Sequence, residues 1–443
     1  MNGIEIRLLD GRLRKRYAAL VKQHVRAATS VSTGLASLPG IGRAASCAQA
    51  LWRFLANERV TLPALVEPPR DLARQTVNGP DYGSRYVLLA HDWSKLTYTA
   101  HTSKPDQVEV SHGDDLGYEL TASLLIDAER GAPLAPMELQ LWSADGVHTT
   151  RQEGVAERVG HLEQVLPTMQ ASRTWGLASR VVHVIDRESD SLVDWREWHG
   201  DGHLFVSRSD HDRKVPWRGG KYSLLDIGRI LASEGAFQFT RPVLFHGRKA
   251  NLFVAETRVT ITKSGRRRTR DGGRVVVPGP PLTLRLIITE VRDEDDQVLA
   301  RWYLVTNVFD AAITADLIAL WYYWRWRIES YFKLLKSAGL QLEHWQQESA
   351  EAIAKRLLVA SMSCVLVWQL ERDTTPPAER CKALFMRLSG RQTKRTRPVT
   401  ASGLLAGLER WFAVRDLLEH HTPEELDELV RQVLPFLAKT NSS

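Results

Sequence analysis

Two short apolar runs that each end in an aspartate constrain this chain most: YVLLAHD (Tyr86 to Asp92) and RVVHVID (Arg180 to Asp186). Apolar stretches of this length without helical period read as strands buried in a sheet, and each places a carboxylate where its strand runs out. LTYTAH, YELTASLLIDAE and MELQLWSA extend the strand reading between them, and VAERVGHLEQVLPTM (Val155 to Met169) repeats at helical spacing. The chain therefore needs a mixed sheet with a helical crossover.

Strand, strand, strand, helix, strand is the order that opens a ribonuclease H-like sheet, and other α/β folds share it. On either side the pattern changes. Residues 1–70 read as helical, with Leu51, Phe54 and Leu55 following a Gly-rich turn at LPGIG; a small DNA-binding unit and an ordinary helical bundle both fit. From about Phe205 to Asn307 the helical period fades into glycine-punctuated strands: HLFVSRS, AFQFTRPV, NLFVAETRVTI, LTLRLIITEV and ARWYLVTN. Helix resumes near Thr314 and dominates to the end, where Thr422, Pro423 and Glu425 stand in register as N-cap, first-turn proline and capping-box acid. The pattern amounts to an α/β multidomain chain: a helical domain at 1–70, the first part of an α/β domain at 71–205, a β-rich insertion at 206–307, the final helix of the α/β domain at 308–346, and a helical domain at 347–443.

With 443 residues, 43% hydrophobic and 25% charged, the composition excludes a peptide, a collagen-like chain and a disordered one. No run of eighteen apolar residues occurs, and MNGIEIRLLDGRLRKRYAAL lacks the apolar stretch of a signal peptide, so a cytoplasmic protein without a membrane span is expected. Cys47, Cys364 and Cys381 are widely spaced and form no C-x-x-C, which favours reduced thiols over disulfides or a zinc knuckle. The net charge of +7 favours a polyanionic partner, and its distribution matters more than its total. Basic residues cluster in RLRKR (Arg12 to Arg16), KSGRRRTR (Lys263 to Arg270) and RQTKRTR (Arg391 to Arg397). One such run is as readily a solvated face. Three in separate segments favour phosphate contact, because each cation that replaces a condensed counterion adds salt-dependent affinity for nucleic acid. Fourteen tryptophans offer faces for unstacked bases, although most are needed for the core.

The segment TADLIALWYYWRWRIESYFKLLKSAGLQ (Thr314 to Gln341) carries the most chemistry. At roughly 100° per residue, Tyr322, Arg325, Glu329, Lys333 and Lys336 share one narrow stripe, while Trp321, Trp324, Ile328, Tyr331, Phe332 and Leu335 lie opposite. Such a helix packs on one face and presents the other. Arg325–Glu329 and Glu329–Lys333 have the spacing of ordinary surface ion pairs, each worth about 0.2–0.5 kcal/mol. The alternative is that Glu329 holds a divalent cation while Tyr322, Arg325 and Lys336 hold phosphate oxygens.

Tyr-x2-Arg-x3-Glu-x6-Lys, here Tyr322, Arg325, Glu329 and Lys336, resembles the signature of the insertion-sequence-four family of bacterial DDE transposases. YVLLAHDWSKLTY and VVHVIDRESD are similar to the family segments that carry two aspartates, Asp92 and Asp186, the second in a DRExD motif. ALWRFLANERV, RWYLVTN and KRTRPVTASGLLAGLERWF extend the similarity over most of the chain, and Asp92 is followed by Trp-Ser where some relatives have Thr-Thr. The resemblance implies a ribonuclease H-like catalytic domain in which Asp92, Asp186 and Glu329 are catalytic and bind two Mg2+ (or Mn2+) ions. It places Tyr322, Arg325, Lys333 and Lys336 on DNA, Trp302 as a wedge at the terminal base step and Trp326 against a flipped base. It further implies that residues 1–70 bind double-stranded DNA at terminal inverted repeats and that 347–443 pair two subunits into a homodimer. One site then cuts the ends, makes and reopens a hairpin, and joins the ends to target DNA, in the bacterial cytoplasm and on the nucleoid.

Residue by residue, other roles stay open. Asp92 could cap a strand, Asp186 could pair with Arg187, Glu188 and Asp190 read as scaffold, and Trp302 and Trp326 could be core. Two further functions share the same residues: a structure-selective nuclease on a ribonuclease H-like scaffold without strand transfer, and an end-binding inhibitor that does not cut. The presence of all three carboxylates counts against the inhibitor.

Overall fold

A computed structural model of the chain describes residues 10–26, 44–99, 103–111, 113–158, 160–245, 248–268, 273–337, 339–390 and 399–433. LPGIG, RQTKRTR and the last two residues of KSGRRRTR lie outside the described residues, as does the side chain of Cys47. The chain folds as two compact units, one drawn from residues 1–68, 96–118 and 331–443, the other from 69–95 and 119–330. Three helices come first: α1 (Gly11–Arg26), α2 (Ala44–Leu55) and α3 (Leu62–Val77), the last passing from the first unit into the second.

The second unit is built on a large mixed sheet. Its main strands are β1 (Tyr86–Thr97), β2 (Leu116–Asp127), β3 (Pro133–Ser143), β4 (Gly146–Thr149), β5 (Arg180–Ile185), β6 (Leu204–Ser209), β7 (Gln238–Phe245), β8 (Arg248–Ile261), β9 (Leu282–Arg292) and β10 (Val298–Thr306). Side by side they run β7-β8-β9-β10-β6-β5-β1-β2-β3-β4. β1 lies parallel to β5, from Tyr86 opposite Arg180 to Ala90 opposite Val184, and β5 lies parallel to β6. Val87, Leu88, Leu89, Val182, Val184 and Ile185 are buried, as strands covered on both faces must be. Helices α4 (Val165–Ser172), α5 (Leu192–Gly200) and α6 (Leu224–Ser233) supply cover: Trp195, Trp198, Ile227 and Leu231 share one apolar cluster with Phe205, Leu284, Leu286 and Ile288.

Several sequence expectations shift. LTYTAH does not start a new strand, because β1 runs on into its first two residues and ends at Thr97, while residues 100–101 lie outside the described residues; Asp92 therefore lies inside a strand, two residues beyond the last position paired with β5. The helix expected from Val155 begins at Val165, since Gly160 is extended and the segment before it holds a short strand and a single 3-10 turn. The strand-rich segment 206–307 also contains α6, opened by a Ser223–Asp226 capping box, and its long strands continue the central sheet.

The single helix expected over Thr314–Gln341 divides into α7 (Ala315–Trp324) and α8 (Trp326–Leu335). At the division Arg325 N–H donates to Tyr322 O at 3.1 Å and Ile328 N–H to Arg325 O at 3.0 Å. Bonds of three-residue reach tighten the turn and rotate α8 away from the positions a uniform helix would give its side chains. The pair is tied to the β2–β3 turn: Trp321 Nε1–H donates to Ala128 O and Arg327 Nε–H to Gly131 O, each at 2.9 Å.

In the first unit, α9 (Ala350–Arg372) is buried almost all round, which removes any polar face, and α10 (Pro376–Leu388), α11 (Ala401–Leu418) and α12 (Pro423–Val433) follow. Lys355 Nζ donates to Leu55 O at 3.1 Å, and Arg356 lies 4.0 Å over the Trp345 ring while donating to His24 Nε2 at 3.2 Å. The helices at the two ends of the chain thus share one unit. Thr422 and Glu425 form the reciprocal bonds of a capping box, at 3.0 and 3.2 Å. No helix among the described residues is long and apolar enough to cross a membrane.

Gly131 has φ +64°, and a Cβ there would lie 2.2 Å from the Trp324 ring. Gly131→Ala should therefore cost about 1–3 kcal/mol, read by chemical denaturation. An unchanged midpoint would contradict this anchor for α7.

Candidate active site

Asp92 and Glu329 are bridged in the second unit, and Asp186 acts on Asp92 from the neighbouring strand. Asp92 and Asp186 follow adjacent parallel strands past the end of their pairing, and Glu329 sits in the first turn of α8. Asp92 Oδ1 accepts the Trp93 N–H at 2.9 Å, and Asp186 Oδ1 accepts the Glu188 N–H at 2.8 Å, closing the short turn after β5. Arg325 joins two of the three: Nη1 donates to Asp92 Oδ2 at 2.8 Å and Nη2 to Glu329 Oε1 at 2.9 Å. The side chains of Arg325, Asp92 and Glu329 are 7%, 14% and 40% exposed, so Glu329 is the member open to solvent. The Arg325–Glu329 pair forms, but a guanidinium this buried that also holds Asp92 is no ordinary surface ion pair.

The charge balance is strained. Burial pushes the Asp92 carboxyl up to about 6, with Asp186 and Glu329 adding to the rise and Arg325 and the Trp93 N–H opposing it. Burial also works against the charge on Arg325, yet Tyr322, Asp92, Glu329 and Asp186 together hold its pKa above the ordinary value. The buried Arg325 Nε has no hydrogen-bond partner. Three acidic groups around one guanidinium leave negative charge that a cation would relieve. Among the described residues, the grouping of three possible ligands whose atoms all lie within 4.8 Å is the exposed Asp210, His211 and Asp212, not the three carboxylates.

The remaining sequence candidates differ in their surroundings. Tyr322 is buried rather than presented; burial raises its pKa, and its hydroxyl faces Arg208 and Arg325. Trp326 is 52% exposed, its ring 5.7 Å from the Arg325 guanidinium. Trp302 lies half-buried on β10, three strands from β1, with its ring edge-on to Phe245. Lys333 is exposed and Lys336 Nζ lies 3.0 Å from Glu343; both lysines belong to the first unit. Asp190 is scaffold, accepting from Ser209 Oγ, the Asp210 N–H and Arg213.

Two residues near the carboxylates carried no sequence signal. Arg208 sits in β6 as one polar residue of a strand and interacts with the Tyr322 hydroxyl. His161 stacks on Trp93, ring centroids 4.1 Å apart, with Nδ1 2.9 Å from Glu119 Oε1. Burial lowers the His161 pKa, but Glu119 and Glu188 outweigh it and hold the imidazole above its usual value.

The basic runs also differ in use. RLRKR lies on α1, where Arg12, Lys15 and Arg16 line a groove of about 760 Å³ together with Arg53 and Arg59. In KSGRRRTR, Arg267 is held by Glu197 and Asp194.

With divalent metal chelated, the Asp92 carboxyl should titrate near pH 6 by carbon-detected NMR. Arg325→Met should move it higher, because burial and the neighbouring carboxylates are then opposed only by the Trp93 N–H. An unchanged or lower value in the variant would contradict the bridge.

No family profile matches the chain, and no curated protein matches it. Among solved structures, a cryo-EM structure of the piggyBac transposase synaptic complex with hairpin DNA aligns over 96% of this chain and 76% of that one, at 10% identity and a TM-score of 0.36. Likeness that slight assigns neither fold nor function.

Proposed function

We propose that this chain is a DDE transposase, binding double-stranded DNA ends and cutting and joining them with two divalent ions at Asp92, Asp186 and Glu329. The observation that carries it is the Arg325 guanidinium spanning Asp92 and Glu329, with Asp186 acting on Asp92 from the neighbouring strand. The order β3-β2-β1-β5-β6, with β1, β5 and β6 parallel, supports a ribonuclease H-like sheet extended by β7 to β10. Membership of the insertion-sequence-four family, the hairpin step and the homodimer belong to the same proposal and rest on the Tyr322, Arg325, Glu329 and Lys336 signature.

The donor set suits the metal. Carboxylate oxygens are hard ligands that favour Mg2+ or Mn2+. Such ions, when bound, activate the attacking oxygen and stabilise the leaving one during in-line phosphoryl displacement. Arg325 and Arg208, both interacting with Tyr322, hold phosphate oxygens, and guanidiniums already fixed in the site lose little on reorganising. Trp326, exposed beside Arg325, offers an unpaired base a stacking face. The α1–α2 groove takes backbone phosphates through cations that need no base contact.

Asp92→Ala, Asp186→Ala and Glu329→Ala should each lower Mg2+-dependent cleavage of the DNA flanking the gene by about a hundredfold or more, with DNA binding kept. Wild-type protein should join pre-cut ends to an intact plasmid, whereas a simple nuclease would only cut. Full cleavage by any of the three variants would overturn the assignment.

Replacing Arg12, Lys15 and Arg16 together by alanine should weaken DNA binding for all sequences alike and reduce the slope of log K against log salt by roughly three. A slope equal to wild type would remove the groove from the DNA path.

A further inference from the structure

Two buried histidines flank the aspartates without a part in the chemistry above. His91 directly precedes Asp92, and His183 stands three residues before Asp186. Both side chains are buried, their rings stack with centroids 5.2 Å apart, and His91 Nε2 meets His183 Nδ1 at 2.9 Å. The other His91 nitrogen, Nδ1, meets Ser123 Oγ of β2 at 2.9 Å. Burial drives both imidazoles well below their ordinary pKa, so the rings are neutral and one N–H donates to the other ring's lone pair. By strand alternation, His91 and Asp92 point to opposite faces of the sheet.

This bond answers a question that the apolar pattern leaves open. Sliding β1 by two residues along β5 would keep every side chain on its own face, so hydrophobicity alone does not choose between those registers. The imidazole pair does so in one direction. His183 stands opposite Leu89, so His91 is already two residues beyond it along the pair; a slip that lengthens this offset by two more residues shifts the ring nitrogens by roughly 6.6 Å and leaves two buried polar groups without partners. The same slip would carry Asp92 away from Asp186.

We propose that the His91–His183 hydrogen bond is a lock that holds the β1–β5 pair against that slip, and that the two histidines are positioning residues for Asp92 and Asp186; this rests on those aspartates being metal ligands. Mn2+ binding to the full chain, measured by electron paramagnetic resonance beside thermal melting, tests it without relying on cleavage. His91→Leu should weaken Mn2+ binding by about tenfold or more, the scale seen when a group supporting a metal ligand is lost. The double variant His91→Leu/His183→Leu removes both polar groups, so it should regain thermal stability but not Mn2+ affinity. His183→Asn, whose amide stands where Nδ1 was, should keep affinity close to wild type.

Wild-type affinity in the folded double variant would overturn the lock, as would unchanged affinity in folded His91→Leu. Should the leucine variants not fold, His183→Asn decides: retained affinity supports the lock and a tenfold loss overturns it. An Asp92→Ala protein that binds Mn2+ as tightly as wild type would instead overturn the metal-ligand reading, and this inference with it.

Discussion

Parallel pairing of two apolar strands decides where charge can gather in this protein. From Tyr86 to Ala90 and from Val182 to Val184 the strands are buried, and an unpaired carboxylate within that stretch would be costly. Acidic side chains first become tolerable where the pairing ends, and Asp92 and Asp186 stand there on neighbouring chains. Burial creates most of the electrostatic strain seen at Asp92, Asp186 and Glu329 add to it, and Arg325 relieves part of it by reaching both Asp92 and Glu329. The tight turn at Arg325 is what lets a buried helix, anchored through Trp321, deliver a guanidinium inward and a carboxylate toward solvent.

Much of this was legible because the relevant signals are local. Apolar runs bounded by glycine and polar residues located β5, β6 and β8 to β10 closely, and the spacing of Tyr322, Arg325 and Glu329 put the right helix under scrutiny. What escaped depends on distant partners or on geometry without a residue code. A uniform helical wheel could not show the three-residue hydrogen bonds at Arg325, so Tyr322 was expected on the presented face and is buried instead. Arg208 and His161 acquire meaning only through Tyr322 and Trp93, far away in sequence. The capping box at Ser223 was readable, yet the surrounding strands masked α6.

Net charge told less than its placement. Much of the basic excess is engaged inside the second unit: Arg285 forms a bidentate pair with Glu256 while donating to Val308 O and Ile313 O, and the buried Glu290 holds both Arg292 and Arg301. Arg267, in the middle of the most basic run, is likewise held. Positive charge open to a polyanion is found instead along the α1–α2 groove, where Arg12, Lys15, Arg16 and Arg53 line one concavity and Arg59, on the same wall, is paired with Asp10.

Metal occupancy where the β1–β5 pairing ends is the claim on which the rest depends. Anomalous scattering from crystals grown with Mn2+ would locate the ions directly. The account predicts two peaks, both against carboxylate oxygens of the set Asp92, Asp186 and Glu329. Manganese confined to Asp210, His211 and Asp212, or absent from the three carboxylates at saturating concentration, would contradict it.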